Sequence, residues 1–123
     1  MKKIILPLVF FILSGCYYDS EEALYGKPGA CNTDNVKYST SVKPILNFYC
    51  YNCHSNSTVG TQGTNIKFED NNDLKIYVIN GQLKSSIEHT AGTDMPYKAA
   101  KLSECDISII NKWLKDGAIF DIP

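Results

Sequence analysis

Apolar residues recur at helical spacing in three stretches of this chain. Val42, Ile45, Leu46 and Tyr49 share one face of a first predicted helix, with Ser41 placed to cap it and Pro44 in its first turn, where a missing N–H costs little. Leu74, Tyr77 and Val78 mark a second, short helix, capped by Asp73 and closed by Asn80-Gly81, where glycine suits a left-handed C-terminal position. Ile107, Ile110, Trp113 and Leu114 give the clearest pattern. Ser103 and Asp106 stand at capping-box spacing before it, with Asp in place of Glu or Gln, and Gly117 stops it. Leu83 to His89 carries another turn or two. Asn32-Thr33-Asp34-Asn35 is turn chemistry, Val36 to Ser39 a short extended piece, and residues 55–72 a loop from which Ile66 and Phe68 dip toward the core or line the edge of a bound group. With no run of strands and no internal repeat, the fold class is all-α, short helices joined by long loops.

The N-terminus has a different pattern. Lys2 and Lys3 precede an apolar run, Ile4 to Leu13, that is too short for a membrane-spanning helix. Leu13-Ser14-Gly15-Cys16 then resembles a bacterial lipobox, so residues 1–15 read as a lipoprotein signal peptide and Cys16 as the lipidated first residue. Residues 16–30 read as a tether: Tyr17-Tyr18-Asp19-Ser20-Glu21-Glu22 is polar and acidic, and Gly26-Lys27-Pro28-Gly29 breaks any regular element. The acidic run resembles export signals of some surface lipoproteins and equally suits a solvated spacer. The expected address is an exported lipoprotein of the cell envelope, facing the periplasm or on the outer-membrane surface. Residues 31–123 form the expected folded domain.

Composition narrows the function classes. The full chain of 123 residues carries a net charge of −1, and loss of residues 1–15, with two lysines and no acid, takes it to −3. There is no arginine and no basic cluster, so nucleic acid is excluded as a partner. No nucleophile–base pair or acid pair is recognisable, and no small-molecule substrate is implied; the chain reads as a non-enzyme. Partners among redox proteins of the envelope, and the lipid membrane through the acylated N-terminus, remain.

The chemistry concentrates in Cys50-Tyr51-Asn52-Cys53-His54. Two cysteines three apart followed at once by histidine form the attachment signature of a c-type haem. Each thiol adds to one vinyl group, and the histidine that follows serves as proximal iron ligand. Half a zinc site or a redox dithiol are the competing readings: zinc needs further Cys or His ligands, and a thioredoxin-like dithiol a βαβ surround that is not visible. About 90 residues is a thin core for so much loop, and one covalent haem would supply the missing apolar mass. Met95-Pro96 offers a distal thioether ligand; the only other methionine is Met1. His89, the only other histidine, is the rival for that place, or else hydrogen-bonds the loop or a haem propionate; an open or water-bound position is the third reading. With Cys16 assigned to lipid and Cys50 and Cys53 to haem, Cys31 and Cys105 remain as an even pair in an oxidising compartment, and a disulfide is predicted between them.

Lys43-Pro44-Ile45-Leu46 before the haem motif, Gly92-Thr93-Asp94-Met95-Pro96, Leu102-Ser103-Glu104-Cys105 and Ile110-Asn111-Lys112-Trp113-Leu114-Lys115-Asp116-Gly117-Ala118 together resemble small monohaem cytochrome c lipoproteins over roughly residues 31–120. The resemblance implies the class I cytochrome c fold, with the N-terminal and C-terminal helices crossing and the Met95 loop closing over one haem face. It implies covalent haem at Cys50 and Cys53, His54 proximal and Met95 distal. Tyr97 departs from the Gly- or Lys-rich stretch common after the Met-Pro of the family, which bears on the loop conformation. The expected function is membrane-tethered one-electron transfer; the alternative is a haem-based binding or docking module, such as a gas sensor or a subunit of a larger redox complex. A single Cys-x-x-Cys-His excludes a di-haem peroxidase on count.

Overall fold

The computed structural model describes residues 31–61 and 65–122. The expected signal peptide, the expected lipidation at Cys16 and the expected 16–30 tether lie outside the described residues. Helices and turns make up the architecture, with no strand among the described residues.

The first helix starts earlier than its sequence pattern indicates. Tyr38–Val42 forms a π turn that runs directly into α1, Lys43–Tyr49. Tyr38 and Ser39 are therefore helical rather than extended, and Ser41 does not cap. The physical reason is Pro44, which has no N–H to donate. The wider hydrogen bonds of the π turn, with Lys43 N–H reaching Tyr38 O, end just before the proline, so the missing donor falls at the junction. Burying Tyr38 and Val42 rewards the extension: both are wholly inaccessible. Ile45 and Leu46 continue the same buried face.

The second helical region is also displaced. α3, Asn71–Ile79, begins after Asp70, and Asp73 lies in its first turn rather than capping it. There the Asp73 carboxylate meets Lys67 Nζ at 3.0 Å and complements the positive end of the helix. Gly81 takes the expected left-handed conformation at φ 75° and leads straight into α4, Gln82–Glu88. α5, Glu104–Lys115, is capped as expected: Asp106 N–H donates to Ser103 Oγ at 3.1 Å. The Asp106 carboxylate accepts from the Ser103 hydroxyl at 2.7 Å instead of from its backbone, so only half of the box forms. Gly117, at φ 97°, follows the helix end.

α5 packs against both the π turn and α4. Trp113 sits at the centre, its ring 5.4 Å from Tyr38 and 5.3 Å from Phe120, with its indole N–H donating to Ile119 O at 2.9 Å. Cys31 and Cys105 are at disulfide distance, which ties the start of the described domain to the first turn of α5.

The C-terminal tail is clasped too. The Asp121 carboxylate accepts from the Ser39 N–H at 2.8 Å and from the Ser39 hydroxyl at 2.6 Å. These bonds, the hydroxyl's first, hold its carboxyl below the ordinary value of 3.8. Because the folded pKa is lowered, the contribution is complete above the ordinary aspartate range and is lost as pH falls through the folded value. Asp121→Asn should therefore lower the melting temperature at neutral pH by more than at acid pH. Thermal melts of both proteins across the acid range check this; parallel pH profiles would show that the clasp contributes nothing.

Candidate functional site

The pentapeptide occupies one tight turn. α1 ends where Cys50 leaves ideal helical geometry at φ −116°, although its N–H still bonds Leu46 O at 2.9 Å. α2, Tyr51–His54, follows at once, and Cys50 O accepts from both Cys53 N–H at 3.1 Å and His54 N–H at 2.9 Å. One carbonyl thus fixes the spacing of both cysteines and the histidine. Tyr51 points inward and anchors the turn, buried against Phe68. The Tyr49 hydroxyl donates to Asp106 Oδ2 at 3.3 Å, so the end of α1 is held to the start of α5, beside Cys105.

The two thiols differ. Cys53 is exposed, while Cys50 is half-buried. Burial, and then the neighbouring Cys53, push the Cys50 thiol up to about 12. A thiol so raised stays protonated at neutral pH, the opposite of the low-pKa thiolate that a dithiol oxidoreductase needs. Among the described residues no group of three His, Cys, Asp or Glu side chains is placed to hold a metal ion, so the zinc reading gains no further ligands.

His54 is the most constrained member. It is only 7% exposed, and its ring stacks on Phe68 with centroids 4.8 Å apart and planes inclined by 22°. Its Nδ1 lies 2.8 Å from Ile66 O. A carbonyl only accepts, so Nδ1 carries a hydrogen, and in the neutral ring the lone pair is then on Nε2. That is the tautomer in which histidine ligates a metal through Nε2, with its other nitrogen oriented by a backbone acceptor. Phe68 N–H returns a bond to His54 O at 3.1 Å, so residues 66–68 grip the histidine by ring and backbone together.

Met95 belongs to a second cluster, on the segment between α4 and α5. Its thioether-bearing side chain is half-buried. Its N–H donates to Ser86 O at 3.1 Å, and its carbonyl accepts from His89 Nε2 at 3.0 Å. His89 Nδ1 lies 3.8 Å from Asp94 Oδ2. His89 thus turns its ring to the methionine backbone. The sequence-predicted site residues fall into these two groups, Cys50, Cys53 and His54 in one and Met95 and His89 in the other. The Ile66 carbonyl and the Tyr49–Asp106 link escape a sequence reading of the site. A backbone carbonyl has no residue-type signature; Ile66 and Phe68, apolar within a polar loop, were the signal the sequence offered.

No helix among the described residues is long and apolar enough to cross a membrane. Comparison of the chain with protein-family models, curated proteins and solved structures gives no match in any of the three.

Proposed function

We propose that this chain is a one-electron transfer protein of the cell envelope, tethered to a membrane through a lipidated Cys16 and carrying one covalent haem c in a class I cytochrome c fold. The observation that carries this reading is the His54 ring. It is buried in the turn that holds Cys50 and Cys53, and its Nδ1–H is committed to Ile66 O. Cys50 and Cys53 would hold the haem through thioethers, His54 through Nε2, and Met95 through its sulfur, a soft donor that raises the reduction potential. When bound, the haem supplies the Fe(II)/Fe(III) couple. Met95 is preferred over His89 as the distal ligand because the His89 ring is occupied by the Met95 carbonyl. Phe48 and Tyr97, each two residues from a haem-binding residue, are 73% and 72% exposed, apolar surface of the kind a bound macrocycle would cover.

A spectral redox titration of the haem-loaded protein and of its Met95→Ala variant tests the reading. The parent should titrate as a single one-electron couple, with sharp α and β bands when reduced and a weak methionine–iron band when oxidised. Met95→Ala should lose that band and fall in potential by on the order of 0.1 V or more, within the roughly 0.8 V that axial ligands span. Rapid carbon monoxide binding by the parent at neutral pH would instead point to the binding-module alternative. An unchanged spectrum in the variant would refute methionine ligation.

A further inference from the structure

The C-terminal turn of α4 is built in an unusual way. The residue that leaves the helix is His89, in the left-handed conformation at φ 59° and ψ 44°, a position usually taken by glycine or asparagine. A histidine there is strained, because its Cβ crowds the backbone in the left-handed conformation. The turn is nevertheless closed, with Thr90 N–H donating to Ser85 O at 2.9 Å. The strain has a visible return. In this conformation the imidazole reaches across the next turn and donates Nε2–H to the Met95 carbonyl at 3.0 Å. The other nitrogen faces the Asp94 carboxylate at 3.8 Å.

The same turn grips the segment at further points. Ser86 O accepts the Met95 N–H at 3.1 Å, and Ser86 Oγ lies 3.1 Å from Thr93 Oγ1. Both polar groups of the Met95 backbone are therefore held by α4 and its exit residue. Ser86 is itself buried, and it lies one residue from the buried Ile87, so this grip is anchored in the core. Gly92, at φ 72°, lets the chain turn back far enough for residues 93–95 to be held.

We propose that His89 is a positioning residue for the Met95 thioether: its Nε2–H bond to the Met95 carbonyl holds the segment in the arrangement in which Met95 serves as an iron ligand. The inference rests on the reading of Met95 as the distal ligand. His89 does not touch the iron; it sets how often the methionine is in place. The bond is partly solvent-exposed, and its loss raises the methionine-off population about fivefold. An exogenous ligand that competes for the same position reports that fraction directly, because its apparent affinity scales with the methionine-off population.

The experiment uses the haem-loaded full chain and imidazole as the competing ligand. His89→Asn keeps a residue suited to the left-handed position but is too short to reach the Met95 carbonyl; His89→Gln restores a donor at the right reach. His89→Asn should bind imidazole about fivefold more tightly than the parent and lose its methionine–iron band at a lower temperature, while His89→Gln stays within about twofold of the parent. Combined with Met95→Ala, His89→Asn should add nothing to imidazole affinity, because the bond acts only through Met95. Parental affinity in His89→Asn, or an effect that persists without Met95, overturns the proposal. If Met95→Ala alone leaves the band and the imidazole affinity unchanged, the ligand assignment itself fails. If Met95→Ala abolishes the band and His89→Asn behaves as the parent, only the role of His89 falls.

Discussion

On the haem c proposal, replacing Cys50 and Cys53 together with alanine is expected to yield a chain without covalent haem. The haem stain in a denaturing gel disappears, and the intact mass drops to that of the apoprotein. Two thioethers require two thiols on one turn, and the Cys50 carbonyl that accepts from both Cys53 and His54 fixes that turn. His54 keeps its tautomer through Ile66 O, so the double variant retains a histidine able to ligate added haem non-covalently. Such haem should extract into acidified organic solvent, whereas that of the parent should not. A parent protein matured alongside haem-attachment machinery yet isolated at apoprotein mass would sink the covalent assignment. A redox dithiol makes the opposite prediction, a two-electron disulfide at Cys50–Cys53. A Cys50 thiol pushed up to about 12 is a poor nucleophile for such exchange.

Removal of the Cys31–Cys105 bridge is expected to be the largest change in stability that leaves the haem turn untouched. The two residues are 74 apart in sequence, and in the chain-entropy model closing a loop of that size contributes about 4 kcal/mol, an upper figure. Against a total of roughly 5–15 kcal/mol for a domain, that is a large share. For a domain of this size it corresponds to a fall of roughly 15–30 °C in Tm for Cys31→Ser with Cys105→Ser. Differential scanning calorimetry of the haem-loaded double variant checks it. A Tm within a few degrees of the parent would mean that the described packing alone holds the two ends together. Labelling of both thiols in the unreduced parent would show that the bridge does not form in solution.

Much of this was legible in the sequence where side-chain chemistry is local. Ser103 caps α5, Gly81 turns left-handed, and Ile107, Ile110 and Trp113 are buried, because caps, glycine turns and helical periodicity act within a few residues. The leftover cysteine pair was legible by count. What was not legible depends on tertiary context. Tyr38 joins a helix because its ring fits between Trp113 and Phe120, contacts set by residues some 75 to 82 positions away. Asp73 forgoes capping for Lys67, which the loop brings close. At the site, the pentapeptide announced its residue types, but the partners that orient it are backbone atoms: Ile66 O for His54, Ser86 O for Met95. His89 was legible as a rival ligand or as a histidine bonded to its loop; the atom it binds was not, since only the exit conformation of α4 aims its ring at Met95 O.

The Cys31–Cys105 bond also decides how the domain would bear tension. A pull applied from the N-terminal side enters the domain at Cys31 and passes through the sulfur–sulfur bond to Cys105, in the first turn of α5. The π turn, α1 and the Cys50–His54 turn lie inside the covalent loop and are bypassed by that load. The load instead meets α5, which Trp113 and the Tyr49–Asp106 link hold to the π turn and α1. Reducing the bond redirects the force into Tyr38–Val42, so a pulling trace should change from one high rupture to an early, low one.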